Sequence, residues 1–232
     1  MNTNTQPYLI PASIVIAGAL IAVGIFFGGT WGKSAPAGVA GNDTKAKIEV
    51  RPVTAEDHVL GNRKAKVVIV EYSDTECPFC KNFHTTLHQA VDEFGNSSDV
   101  AWVYRHFPID QLHSKARKEA EATECAAEQG GNDAFWKYID EVYKRTPSNN
   151  KLEVSELPKI ASDTGLDVNK FNECLSSGRM ASKVEADYQD AVKAGGQGTP
   201  YVVFLKGKEK IPMDQGAVPY ATLKGMIQEL LK

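Results

Sequence analysis

Residues 66–80 read Lys66-Val67-Val68-Ile69-Val70-Glu71-Tyr72-Ser73-Asp74-Thr75-Glu76-Cys77-Pro78-Phe79-Cys80. The run Lys66–Ser73 is almost unbroken in β-branched residues, the pattern of a strand buried on both faces. Helical spacing begins immediately after it. Cys80, Phe83, Leu87, Val91 and Phe94 recur on one face, and the pattern closes at Gly95. Val100–Phe107 is a second apolar run, so the unit is β-α-β and its two strands are predicted to be parallel.

The chemistry sits at the first strand-to-helix junction, in Cys77-Pro78-Phe79-Cys80. A CxxC there brings two sulfurs within bonding distance and sets the first at a helix N-terminus. Unpaired backbone N–H groups and the helix dipole stabilise negative charge at that end. Cys77 is therefore predicted to have a lowered pKa and to be the reactive thiol. Cys80 falls on the buried stripe with Phe83 and Leu87, which makes it the shielded partner. Pro78 at an early helical position sacrifices no hydrogen bond. The competing reading is half of a zinc site. Zinc sites need a second close pair of ligands, and Cys125 and Cys174 stand singly and far apart. His84 and His88 form an i, i+4 pair on the same predicted helix and keep a zinc reading open, but no metal site is assigned.

The rest of the chain frames this unit. With 232 residues, 42% of them hydrophobic, there is enough chain for one sizeable core with or without a smaller lobe. A formal net charge of −3 with no basic stripe argues against a nucleic-acid partner. No Gly-rich phosphate loop follows a strand, so no organic cofactor is expected. Residues 1–32 carry no Asp, Glu, Lys or Arg, and Leu9 to Phe27 is almost wholly apolar. About 20 apolar residues span a bilayer as a helix, whereas a soluble helix would show a polar face. Residues 1–32 are thus expected to be one transmembrane anchor, 33–47 a flexible Ala/Gly/Lys-rich tether, and 48–232 the folded domain. Ala35-Pro36-Ala37 and Gly38-Val39-Ala40 are small-residue runs of the kind a signal peptidase cuts. The apolar run is longer than a typical signal core and has no Lys or Arg before it, so retention is favoured over a cleaved, secreted or periplasmic form. Flanking charge does not settle the orientation.

After the β-α-β unit the pattern is helical from about 114 to 194. Ser114–Gln129 is Ala-rich and ends at Gly130-Gly131. Phe135, Trp136, Ile139, Val142 and Tyr143 form the next stripe, followed by Leu157, Ile160 and Ala161 up to Gly165. Asp167 is a predicted N-cap for a helix carrying Phe171, Cys174 and Leu175. Val184, Tyr188 and Val192 mark a last helix of this block, stopped by Gly195-Gly196. Tyr201–Leu205 and Glu209–Met213 then read as a hairpin around Lys206-Gly207, and Tyr220, Leu223, Ile227 and Leu230 as a terminal helix.

Five segments in order, VVIVEYSDTECPFC (67–80), RHFPID (105–110), ECAAEQG (124–130), GLDVNKFNECL (165–175) and GTPYVVF (198–204), resemble the DsbA-like branch of the thioredoxin superfamily. The resemblance runs from about Glu49 to the C-terminus. It implies an α/β thioredoxin fold with an inserted all-helical domain, placed outside the cytoplasm at the cell membrane, that introduces disulfides into exported proteins. It makes Cys77 the attacking thiol and Cys80 the resolving one. Gly198-Thr199-Pro200 matches the family's cis-proline loop, in which the Thr199 backbone faces the dithiol and pairs with an extended substrate peptide. Glu71 takes the family's acid position, from which a carboxyl can exchange a proton with Cys80; the alternative is a strand-end Glu reaching solvent. Glu76 is read as a solvated side chain.

A working Cys77–Cys80 pair leaves Cys125 and Cys174 to each other, and some members of the family carry a second disulfide in this lobe. Two buried free thiols, or a redox relay, are the alternatives. His106 is read as structural, His113 as capping or packing at the next helix, and Trp136, Tyr138 and Tyr143 as core of the insert. Phe79 replaces the His common in the family's CPHC motif, which predicts a milder oxidant. Implied partners are exported proteins with free thiols and a quinone-linked membrane reoxidase, with the chain itself a monomer. A reductase or isomerase of the same fold and a redox-silent peptide-binding chaperone are the competing functions. Isomerases usually add a dimerisation module, for which the tether is too short and polar, and a chaperone has no need of two thiols.

Overall fold

In the computed structural model, which describes residues 48–232, the apolar run around Ile69 becomes the central part of a five-stranded sheet. The strands are β1 (His58–Gly61), β2 (Val67–Ser73), β3 (Val100–His106), β4 (Tyr201–Lys206) and β5 (Glu209–Pro212). Their order across the sheet is β1-β3-β2-β4-β5. The β2–β3 pair is parallel, with Ile69 opposite Trp102, and the other pairs are antiparallel. Every residue of β2 and β3 is buried, which is why their sequences lack alternation.

The helices are α1 (Pro78–Phe94), α2 (Ala116–Arg145), α3 (Leu157–Asp163), α4 (Val168–Ser177), α5 (Ala181–Lys193) and α6 (Tyr220–Leu230). The stretch α2 to α5 lies between β3 and β4 in the chain. Strand β1 was not predicted, because its four residues are too few to show a period. It ends at Gly61, whose φ of +95° and whose approach to the Val100 carbonyl leave no room for a side chain. The break predicted at Gly130-Gly131 is a kink. Both residues leave helical geometry (φ −138° and 65°), and α2 resumes directly after them.

Three apolar clusters form the interior. One face of the sheet packs with α1, α6 and part of α2 through Ile69, Phe83, Leu87, Trp102, Phe135 and Ile227. The opposite face contributes Val68, Val70, Tyr72 and Val103 to a second cluster. The third belongs to the helical insert and holds Leu157, Ile160, Phe171 and the Cys125–Cys174 disulfide, whose Cα atoms are 5.8 Å apart. Closing a loop of this separation, 49 residues, contributes about 4 kcal/mol in the chain-entropy account.

Two expectations about the insert are corrected here. Of the aromatics assigned to its core, only Tyr138 packs there; Trp136 and Tyr143 join the sheet cluster. Helix α2 is buried on two faces, so a stripe read as belonging to one lobe divides between two. Val192 is exposed, although it was expected on the buried face of α5. That face is marked instead by Val184, Asp187, Asp190 and Ala191. The two aspartates are buried because they meet basic partners. Asp190 accepts from Arg105 at 2.7 Å and Asp187 from Arg51 at 2.5 Å, and Arg105, itself fully buried, also donates to Asp57 at 2.9 Å. Burial pushes the Asp57 carboxyl up, but the Arg105 hydrogen bond and charge outweigh it and hold the group below its usual range. A hydrophobicity count cannot see a face buried by ion pairs.

No helix among the described residues is long and apolar enough to cross a membrane. The anchor expected in 1–32 and the tether expected in 33–47 lie outside the described residues.

Candidate active site

Strand β2 ends at Ser73, and after three intervening residues the chain enters α1 with Cys77 as N-cap in extended geometry (φ −77°, ψ 121°). Pro78 occupies the first turn, which contains no acidic residue to oppose a negative charge at Cys77. Cys77 is 5% exposed and Cys80 is fully buried. The two thiols are held far apart in acidity. Cys77 is lowered to about 6, first by the hydrogen bond from Cys80, against burial, with further help from Thr199 and the backbone N–H groups of Cys80 and Phe79. Cys80 is pushed well above its usual range by burial and then by the neighbouring Cys77 and Glu71. At pH 7 a pKa near 6 makes Cys77 about 90% thiolate.

The hairpin brings the second part of the site. Strand β4 runs antiparallel to β2 with Tyr201 opposite Tyr72, so the loop before Tyr201 lies beside the end of β2. The Thr199–Pro200 peptide bond is cis. Cys77 Sγ lies 3.4 Å from the Thr199 carbonyl oxygen, so the thiol form donates to it. Gly198, Thr199, Pro200, Tyr201 and Met213 line an open groove of about 610 Å³ beside this contact. Phe79, 64% exposed, stands next to Cys77 as an uncovered apolar side chain.

Glu71 lies beneath the dithiol and does not reach solvent. It is fully buried, accepting from Ser73 Oγ at 2.8 Å and from Trp102 Nε1 at 3.1 Å. Burial raises its carboxyl to about 8; the bonds from Ser73 and Trp102 oppose the rise, and the charge of Cys77 adds to it. A chain of hydroxyls continues from Ser73 to Tyr143 at 3.0 Å and on to Tyr104 at 3.1 Å. Glu71 is thus a buried acid that can be neutral or charged near pH 7, close to two thiols of opposite tendency.

Glu76 corrects the sequence reading. It is not solvated but fully buried. Its carboxylate accepts from the backbone N–H groups of Asn150 at 2.5 Å and Leu152 at 3.4 Å and from Thr146 Oγ1 at 3.4 Å, while its carbonyl accepts from Asn149 N–H at 2.8 Å. Within the segment so held, Ser148, Asn149 and Asn150 all have positive φ (64°, 56° and 64°). Glu76 is the post around which a loop of the insert is folded against the CxxC motif. The loop lies some 70 residues further along the chain, so nothing local to Glu76 announces it. A second buried acid, Glu119, accepts from Thr75 Oγ1 at 2.6 Å and is raised to about 9 by burial and by Glu76.

His106 and His113 are buried and each faces a carboxylate, Glu124 at 2.9 Å and Asp74 at 2.9 Å. Cys125 and Cys174 are joined away from the groove, among Tyr138, Phe171 and Leu175.

A family model described as Thioredoxin matches residues 53–229. The chain belongs to the thioredoxin family. Two solved structures place this family member among the DsbA-like proteins. DsbA2 of Pseudomonas aeruginosa is 30% identical, covers 75% of this chain and 94% of its own, and superposes with a TM-score of 0.61. Oxidised BdbD of Bacillus subtilis is 25% identical, covers 79% of this chain and 97% of its own, with a TM-score of 0.67. Among curated proteins, the Na(+)/H(+) antiporter NhaA 3 of Salinispora tropica is 34% identical over 152 residues, which is 66% of this chain and 22% of the antiporter. The chain thus spans about a fifth of the length of that curated relative. The Cys77–Cys80 dithiol and the cis-Pro200 loop thus stand in a domain that belongs to the thioredoxin family and is similar in structure to DsbA-like proteins.

Proposed function

We propose that the protein is a net oxidant that introduces disulfide bonds into exported proteins through the Cys77–Cys80 pair. The observation that carries this reading is the split acidity of the two thiols. Lowering Cys77 from an ordinary 9.0 to about 6 leaves it mostly thiolate at pH 7 and so stabilises the reduced form. A stabilised reduced form makes the disulfide the better electron acceptor.

The steps follow from the positions of the groups. A client thiolate attacks Sγ of Cys77 in the Cys77–Cys80 disulfide; the Cys77–client bond forms and Cys80 leaves as thiolate. Cys80, held well above its usual range, takes up a proton that Glu71 can supply. A second client thiolate attacks the client sulfur of the mixed disulfide and releases Cys77, whose low pKa makes it a good leaving group. The client is oxidised by two electrons and the dithiol is reduced. The Thr199 backbone beside Pro200 offers the polar edge on which an extended client segment can pair, and Phe79 an apolar contact next to it. The Cys125–Cys174 bond serves stability. The apolar run Leu9–Phe27 supports an uncleaved membrane anchor with the domain on the extracytoplasmic side, where disulfides persist. A quinone-linked membrane oxidase is the matching reoxidant, and the working form is a monomer.

Equilibration with glutathione buffers of graded potential, read by thiol trapping, tests the direction. A potential well above that of a reducing thioredoxin is expected. A value near about −270 mV would make the protein a reductase instead.

A further inference from the structure

Away from the groove, His84 and His88 of α1 meet Asp140 of α2 at a single point. His84 Nε2 lies 2.7 Å from Asp140 Oδ1, His88 Nε2 lies 2.9 Å from the same oxygen, and the two nitrogens are 3.2 Å apart. Two rings thus direct the same type of nitrogen at one carboxylate oxygen and at each other. Hydrogen bonding accounts for this cluster poorly. If each Nε2 carries a proton to Asp140, the two N–H groups abut. If one Nε2 lacks a proton, it faces the carboxylate lone pairs without a donor between them. His84 Nδ1 has no hydrogen-bond partner, so contacts at Nε2 alone decide its tautomer.

We propose that His84 Nε2, His88 Nε2 and Asp140 Oδ1 form a binding site for a divalent transition metal of the zinc, nickel and copper group. Imidazole nitrogens with one carboxylate oxygen are a donor set suited to these ions. The spacing of the three atoms suits one. Contacts of 2.7, 2.9 and 3.2 Å lie on a circle of radius about 1.7 Å, and metal–nitrogen and metal–oxygen bonds run to about 2.0–2.2 Å. A single ion can therefore reach all three from just above their plane, with donor–metal–donor angles of roughly 80–105°, those of three adjacent positions on a metal. The i, i+4 spacing stacks both rings on one face of α1, and α2 brings the carboxylate from the insert.

The surroundings leave room for further ligands. The cluster opens on a surface pocket of about 500 Å³ whose wall includes Lys81 and Lys144. Neither ammonium group is free to crowd the ion: Lys81 donates to the Thr146 carbonyl at 2.6 Å and Lys144 to Glu141 at 3.1 Å. With three protein donors, the remaining positions face this pocket and take water or an outside ligand. The ion also ties α1 to α2. His84 is edge-on to Trp102, with ring centroids 5.0 Å apart, and Trp102 is a hydrogen-bond donor to Glu71. The clamp therefore fixes the helix that begins at Cys77 and the wall behind Glu71. This placement differs from the zinc alternative read from sequence, in which the histidines complete a site with the CxxC sulfurs.

The test uses the full chain in detergent, stripped with EDTA and fully oxidised so that no thiol is available. Titration with Zn2+ by calorimetry should give one ion per chain. His88→Gln and Asp140→Asn, both at partly exposed positions, should each weaken binding at least about tenfold. The chain carrying both Cys77→Ser and Cys80→Ser should bind as the wild type does, and Co2+ bound to it should show d–d bands without a thiolate charge-transfer band. Absence of binding to the wild type, binding unchanged in His88→Gln and Asp140→Asn, or binding lost with the two cysteines would each overturn the proposal.

Discussion

The molecule holds two pairs of cysteines, and both are buried, yet they stand in opposite chemical situations. Cys125 and Cys174 lie within helices, where every backbone N–H is already engaged, and among apolar side chains. Nothing there favours a thiolate. Cys77 lies at the start of a helix, where N–H groups are free, and its partner sits one turn deeper beside a buried acid. What separates a bond that is exchanged from a bond that holds is therefore the backbone and charge around the sulfurs rather than their burial. The CxxC spacing keeps the reactive pair close, while the 49-residue separation of the other pair is what lets its closure stabilise the fold.

The largest expected effect removes the asymmetry altogether. Cys77→Ser should lower the rate of disulfide transfer to a reduced model protein by at least about 1,000-fold, since it deletes the nucleophile. Cys80→Ser should instead accumulate mixed disulfides on Cys77, visible by mass spectrometry of acid-quenched protein. Trapping through Cys80 in the Cys77→Ser protein would reverse the assignment.

The other pair should respond in stability, not chemistry. The double variant Cys125→Ala/Cys174→Ala is expected to lose about 4 kcal/mol in urea unfolding while keeping the acidity of Cys77. A large change in transfer rate at a denaturant-free, fully folded temperature would blur the contrast between the pairs.

Glu71 sharpens the comparison through pH. Its carboxyl is raised to about 8 in the folded reduced protein against 4.5 in the unfolded chain, so the folded state binds the proton more tightly. Its contribution to stability is therefore present in full below pH 4.5 and lost as pH rises to about 8. The slope is up to about 1.4 kcal/mol per pH unit. Urea unfolding of Glu71→Gln across this range should show that component of the slope removed; an unchanged slope would show that Glu71 is ionised throughout.

The smallest effect concerns Phe79. Phe79→His adds a group that can be positive beside the Cys77 thiolate, and each unit by which the Cys77 pKa falls should raise the potential by about 30 mV. The thiolate absorbance of Cys77 titrated against pH measures the first quantity and glutathione equilibration the second. A fall in pKa without a rise in potential would separate thiolate stability from oxidising power in this protein.

Much of this was legible in one dimension, because the signals are local. A β-branched run, a CxxC and a helical period lie within 30 residues of one another, and together they place Cys77 at a helix N-terminus without any knowledge of the rest. The role of Pro200 was legible only by resemblance, since most X–Pro bonds are trans. Where the reading failed, the deciding partner was distant. Glu76 is a surface-type residue by its neighbours in the chain, and it is buried because the backbone N–H groups of Asn150 and Leu152 fold onto its carboxylate. Asp187 and Asp190 face inward because Arg51 and Arg105 arrive from other elements. The exposure of Val192 is the other side of the same fact.

The sequence by itself thus determined the β-α-β unit, the helical block, the hairpin and the order of acidity of the two CxxC thiols, since each rests on hydrogen bonds and periodicities within a few turns. Tertiary structure alone decided which acids are buried, how α2 divides its aromatics between two cores, and that His84 and His88 meet Asp140. The reason is physical: burying a charged or polar group costs several kcal/mol unless a partner is supplied, and the partners come from 50 to 140 residues away.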